Sequence, residues 1–365
     1  MTIKARDVNI RLPAMVALLG LVLALPYLAP IDILGVHIGL LQLSLMGVWV
    51  IGALGLNIVT GYSGQISLAH NVFIASGAYT AALLMERQGV PFWLAVFAGG
   101  GCAAAVGVVV GVPALRIAGF HLAIVTVALA VAMTPILLKF TDFTGGYRGV
   151  TIDMPAPPPF LSFLDQDRWL CYLSLFAAVL MTFLAWSMMR SPVGRAWIAI
   201  RDSEVGAQAI GINLARYKVL AFVMSAFYGG LAGALYVQVV GGVTPYSFGM
   251  MTSLTFLTMI VIGGLATISG SVLAGIAYVL FPEVFRTLQI RFSDVMIGSF
   301  SLKVLLQDAQ SILYGGMLIF NIILMPEGVA GGPLARLIRR GLDMRLADLT
   351  RPFRRLVRGV HDAGP

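Results

Sequence analysis

Fifty-three consecutive residues, Ile33 to Met85, contain no Asp, Glu, Lys or Arg, and neither do the sixty-four from Val219 to Pro282. A water-soluble fold shows charge on at least one side of most of its elements. A chain that withholds it for this long has hydrocarbon around it. An unpaired backbone amide or carbonyl in hydrocarbon costs several kcal/mol, so the crossing segments are helices of about 20 residues or strands of a closed barrel. Uniformly apolar runs, without alternation, select helices.

Charge-free runs occur at 12–31, 33–85, 88–115, 117–138, 169–189, 219–282 and 309–326. Five of these hold one span each. The run 219–282 is long enough for three, with turns at "GGVTPYSFG" and "GGLATISG". The run 33–85 holds two, with about ten residues to spare. The expected fold is all-α and polytopic, with about ten transmembrane helices (eight to ten) and a broken or re-entrant segment near 61–70. The first crossing follows Lys4, Arg6 and Arg11 and resembles a signal peptide, but it is long enough to span and is read as an uncleaved anchor.

Loop charge sets the expected orientation. Residues 190–218 carry five basic side chains and the last thirty residues carry eight arginines, whereas Thr141 to Arg168 has two basic against four acidic residues. The first two therefore face the cytoplasm, as does the N-terminus. The organisation expected is a cytoplasmic N-terminus over 1–11, a transmembrane domain over 12–332 with external loops at 140–168 and 283–308, and a basic cytoplasmic tail over 333–365. Clustered on the tail and at span ends, the net charge of +8 suits anionic lipid headgroups rather than nucleic acid.

No charge lies inside a span, which argues against a proton-coupled carrier. A sodium-coupled carrier stays open, since unwound backbone carbonyls bind sodium without carboxylates. No HExxH, GxSxG or P-loop pattern is present, so neither a hydrolase nor an ATPase is indicated, and no cofactor or metal. His70 and His121 read as packing residues at helix ends.

The interruption "GYSGQISLAH", residues 61–70, is the strongest polar signal within the spans. Gly61 and Gly64 permit non-helical dihedrals, Ser63 and Ser67 suit the cap of a new helix, and Gln65 can satisfy freed backbone groups. A helix N-terminus near Ser67 would offer N–H groups to a carboxylate, with Thr126, Ser225 and Gln238 as weak polar sites beyond it. A plain cytoplasmic turn without substrate contact accounts for the same residues. The glycines of "FYGGLAGALY" and "FAGGGCAAAVGVVVG" read as close helix packing.

The loop "RSPVGRAWIAIRDSEVGAQAIGINLARYK" has a helix start at Ser191–Pro192. Apolar Trp197, Ile198, Ile200 and Val205 sit among Arg195, Arg201, Asp202 and Glu204, with Gly206 and Gly211 limiting helix length. Short amphipathic helices either lie on the membrane surface or dock into a groove of a cytoplasmic subunit.

"GYSGQISLAHNVFIASGAYTAALL", "PALRIAGFHLAIVTVALA", "TGGYRGV", the loop just quoted, "VIGGLATISGSVLAG" and "MPEGVAG", in this order, resemble the permease subunits of branched-chain amino acid ABC importers. The similarity is to the M-type subunit, from about Leu45 to Gly332. The resemblance implies no catalytic role, a homologous H-type permease partner, two cytoplasmic ATPase subunits and a periplasmic binding protein in a bacterial inner membrane. It also implies that Glu204, Ala207 and Gly211 belong to the loop that contacts the ATPase, Gly211 falling one residue later than in the general motif. Urea and aromatic-acid permeases are similar, so these substrates stay open.

Overall fold

The computed structural model describes residues 24–33, 36–114, 120–291 and two short strands at Met296–Ile297 and Phe300–Ser301. Its main helices are α1 (Leu40–Asn57), α2 (His70–Gln88), α3 (Phe92–Ala114), α4 (Phe120–Lys139) and α5 (Gln166–Arg190). After these come α6 (Pro192–Asp202), α7 (Glu204–Ala209), α8 (Leu214–Val240), α9 (Met250–Gly263) and α10 (Ile268–Arg291).

Six described helical segments are long and apolar enough to cross a membrane: Leu40–Tyr62, Phe92–Pro113, His121–Lys139, Gln166–Arg190, Leu214–Val240 and Ile268–Leu288. The expected count of about ten is therefore not reached among the described residues. Two of the expected spans fall short for physical reasons. Helix α2 opens on His70 and Asn71 and closes on Glu86, Arg87 and Gln88, which dilutes its apolar length. Helix α9 has 14 residues, about 21 Å at 1.5 Å per residue, against a hydrocarbon core of about 30 Å. The expected crossing at 309–326 and most of that at 12–31 lie outside the described residues, as does the tail 333–365. Of the expected external stretch 283–308, the first residues continue α10 to Arg291.

The chain sorts its connections onto two ends. At one end strand Val150–Thr151 pairs antiparallel with Gly242–Val243. At that end, too, Arg87 donates to the Asp142 carbonyl and Gln238 Nε2 donates to the Phe92 carbonyl at 3.2 Å. At the other end the 58–69 segment, the 190–218 loop and the 264–267 turn converge. Antiparallel neighbours joined by short loops require such an alternation.

Helices α2, α3 and α8 pack through glycine. A methyl group at Gly77 would collide with the Gly230 carbonyl, one at Gly233 with the Ile74 carbonyl, and one at Gly107 would stand 2.6 Å from Ala226 Cβ. Without a hydrophobic drive between helices in lipid, such backbone approach supplies the van der Waals contact that holds them. The expected close packing from these glycines is what the structure has. Trp49, Phe256 and Tyr278 then fill the space between α1, α9 and α10, the last two rings stacked at 4.5 Å.

Candidate functional site

The helical rise from α1 does not stop at Asn57 but widens into a π turn, Ile58–Tyr62. The Ser63 amide donates to the Ile58 carbonyl at 3.1 Å and the Gln65 amide to the Val59 carbonyl at 3.0 Å. Such turns occur within helices at functional positions. Gly64 takes φ +71°, a left-handed conformation that favours glycine, and the chain then runs non-helical to Ala69 before α2 begins. The expected break is present over 63–69.

Its capping differs from expectation. Ala69, not Ser67, precedes α2, with no side-chain cap. Ser63 Oγ accepts from Gln65 Nε2 at 2.5 Å, while Ser67 Oγ is buried without a partner. The cap is supplied from elsewhere in the fold. Thr126 Oγ1 on α4 accepts from the Leu68 amide at 3.1 Å, and Ser253 Oγ on α9 accepts from the Asn71 amide at 2.8 Å. Asn71 Nδ2 donates to the carbonyls of Ala130 and Phe248 at 3.0 and 2.9 Å. Away from water, hydroxyls from neighbouring helices do what a local serine does at a surface helix. Two of the donors that a carboxylate would use are thereby engaged. His70, wholly buried, has Nε2 2.8 Å from the Gly52 carbonyl, and Ser225 Oγ is buried without a partner. Gln238 belongs to the opposite end.

Sequence reasoning missed Asn57, which organises the break. Its Nδ2 donates to the Thr267 carbonyl at 2.9 Å and to Ser271 Oγ at 2.6 Å, and its Oδ1 accepts from the Ala266 amide at 2.9 Å. Ala266 holds φ +55°, so the amide clamps a strained turn between α9 and α10. Gly61 fits beneath: a Cβ there would run into Asn57 Oδ1 and the Ala266 amide. A lone amide in "GALGLNIVTG" was the available signal, because a polar group among spans needs a partner.

The 190–218 loop folds as two short helices. Ser191 Oγ accepts from the Val193 amide at 3.2 Å with Pro192 at the first helical position, as expected. The division falls at Ser203, whose Oγ accepts from the Gly206 amide at 3.0 Å. Gly206 therefore lies inside α7 rather than ending a helix, while Gly211 does follow α7, at φ +83°. Helix α6 buries Gly194, Ala196, Trp197 and Ile200, and Trp197 Nε1 donates to the Tyr217 carbonyl at 2.8 Å. Lys218 Nζ, on a side chain only 8% exposed, meets Glu204 Oε1 at 2.7 Å. Ala207 is buried, but Val205 and Ile210 are 79% and 72% exposed. Between α7 and the start of α8 lies an open cleft of about 530 Å³, lined by Glu204, Gln208, Asn213 and Lys218 among others.

Of the residues singled out in the loop, Glu204 lines this cleft, Ala207 is packed inward, and Arg195 turns back to the Arg190 carbonyl at 3.0 Å. Arg201 and Asp202 pair at 3.1 Å. Arg201 also reaches the break, its Nη1 donating to the Gly61 carbonyl at 3.3 Å. Two features read separately in the sequence are thus one junction.

A helical, multi-pass membrane body with a broken helix seated on an amphipathic loop is the build of a membrane permease. The chain belongs to the family described as the branched-chain amino acid transport system permease component, whose model matches residues 40–322. It is 32% identical over 322 residues to the high-affinity branched-chain amino acid transport system permease protein LivM of Escherichia coli K12, covering 82% of this chain and 74% of that one. LivM of Salmonella typhimurium is 32% identical over 289 residues, 73% of this chain and 68% of its own. LivH of Salmonella typhimurium is 26% identical over 296 residues, 77% of this chain and 90% of its own. No solved structure is significantly similar.

Proposed function

We propose that this chain is the M-type permease subunit of an ATP-driven ABC importer that moves branched-chain amino acids across a bacterial inner membrane. The observation that carries the reading is the 190–218 loop. It is pinned to the body by Trp197 and by the Glu204–Lys218 pair, yet it turns Val205 and Ile210 outward beside an open cleft. Exposed apolar side chains on a rigid helix pair fit a groove in a partner. Loop charge assigns this end, and both termini, to the cytoplasm.

In this reading the partner at the loop is one of two ATPase subunits. A homologous H-type permease completes the pathway, and a periplasmic binding protein delivers cargo to the opposite end. The likeness of the chain to both LivM and LivH relatives supports such a pair. ATP binding closes the ATPases, the loop carries the motion, and the cavity exchanges outward for inward exposure. Gly61, Ser63, Gly64, Gln65, Ser67 and Thr126 border the translocation path. The test is uptake of leucine into liposomes that hold this chain with its H-type partner and ATPase subunits, with binding protein supplied outside. Uptake should require internal ATP. Uptake by this chain alone on a sodium gradient would overturn the reading.

A further inference from the structure

We propose that Arg201 is a positioning residue that transmits movement of the 190–218 loop to the broken helix, rather than a contact for the ATPase. Asp202 Oδ1 accepts from its Nε at 3.2 Å and its Nη2 at 3.1 Å, which fixes the guanidinium plane and leaves Nη1 for the Gly61 carbonyl at 3.3 Å. The stem of the same side chain covers Gly64: a Cβ there would stand 2.7 Å from Arg201 Cγ. Gly64 is thus suited twice over, by its φ of +71° and by the arginine above it.

The second arm of the loop touches the next residue. Gln65 Nε2 lies 3.5 Å from the Lys218 carbonyl, and Lys218 is the residue that Glu204 holds. Trp197 bonds α6 to the Tyr217 carbonyl, so the end of α6, α7 and the start of α8 form one body. That body meets the break at 61, 64 and 65. Those residues lie in and just beyond a π turn, where the regular ladder of helical hydrogen bonds is already interrupted. Pulling on the Gly61 carbonyl therefore moves a segment that local hydrogen bonding restrains weakly. Through Asn57, the same π turn grips Ala266, Thr267 and Ser271, so displacement reaches the α9–α10 turn as well.

The proposal rests on the importer reading for what moves the loop. In the reconstituted full assembly, R201A should keep ATPase subunits co-purifying while leucine uptake per ATP hydrolysed falls about tenfold, within the range of measured inter-site couplings. D202A, which frees the guanidinium, should give a smaller loss, and R201K should recover part of it. Unchanged uptake per ATP in R201A would overturn the proposal, and so would loss of ATPase co-purification, which would make Arg201 a docking contact. A second measurement needs no transport. In the purified chain, backbone amides of 63–69 should exchange hydrogen faster in R201A than in wild type, with R201K between them. Equal exchange overturns the link even if the assembly imports leucine. Failure of the wild-type assembly to import, with faster exchange in R201A, would sink the importer reading and keep the link.

Discussion

The contact faces of the body formed by α2, α3 and α8 and the junction around residues 57–69 are held in opposite ways. The body is held by backbone against backbone. At Gly77, Gly230 and Gly233 there is no room for even a methyl group. The junction is held by a few side-chain hydrogen bonds: Asn57 to the 266–271 segment, Thr126 to Leu68, Ser253 to Asn71 and Arg201 to Gly61. Close packing is bistable at best and resists small displacement, whereas hydrogen bonds at a helix break can be exchanged singly. The contrast assigns rigidity to the body and movement to the junction.

Breaking the body should cost most. G230V puts a branched side chain where a Cβ already meets Ala103 Cβ and the Gly99 carbonyl. Overpacking of a filled core costs about 1–3 kcal/mol and sometimes more. Because a rigid alanine methyl and backbone, rather than flexible side chains, block the site, the upper end is expected. The variant should express poorly and elute as aggregate in detergent, and a monodisperse protein of wild-type melting temperature would contradict the packing. N57A comes next. It strips three hydrogen bonds and leaves the part-buried Ala266 amide without its acceptor, at about 1 kcal/mol, the low end for an unsatisfied group. Lower thermal stability with hydrogen exchange accelerated at 57–69 and 264–271, and not in α8, is the expected pattern.

The difference between the two regions also explains what could be read in advance. Charge-free runs gave the places of the helices, since a bilayer leaves few options for a backbone, and glycine spacing in "FYGGLAGALY" marked the packed face. The break was legible because glycine and serine interrupt a helix locally. Its wiring was not. The partners of Asn57 lie some 210 residues away, and no local pattern specifies which carbonyl an amide will find. Ser67 was the natural cap by local rules and lost to Thr126 and Ser253, which are supplied by other helices. Arg201 read as one charge among several on an amphipathic loop, and its tie to Gly61 exists only after the loop folds back.

E204A tests the edge of the junction. It leaves Lys218, whose side chain is 8% exposed, without its carboxylate. A fully buried pair broken in this way costs about 3–5 kcal/mol, but Glu204 is 49% exposed, and water that reaches Lys218 reduces this to about 1 kcal/mol. Leucine uptake by the assembly should fall more than stability does, because the pair orients α7. The companion V205S/I210S removes only exposed apolar surface, so melting should stay within about 0.5 kcal/mol of wild type while ATPase co-purification weakens. Wild-type ATPase retention in V205S/I210S would detach docking from α7.

The smallest effect belongs to G101A, which separates a packing glycine from a merely adjacent one. Gly99 and Gly100 meet α2 and α8 at van der Waals range or closer, and Gly101 meets nothing within 4 Å. In a helix interior, alanine for glycine gains about 0.5–1 kcal/mol when there is space. The isolated chain should therefore melt slightly higher with G101A, against a collapse for G230V. If instead G101A lowers stability in the isolated chain, α3 presents a different face to α8 and the rigid body must be redrawn. If it leaves the isolated chain intact but loosens its association with a second permease, Gly101 lies at the contact between the two subunits.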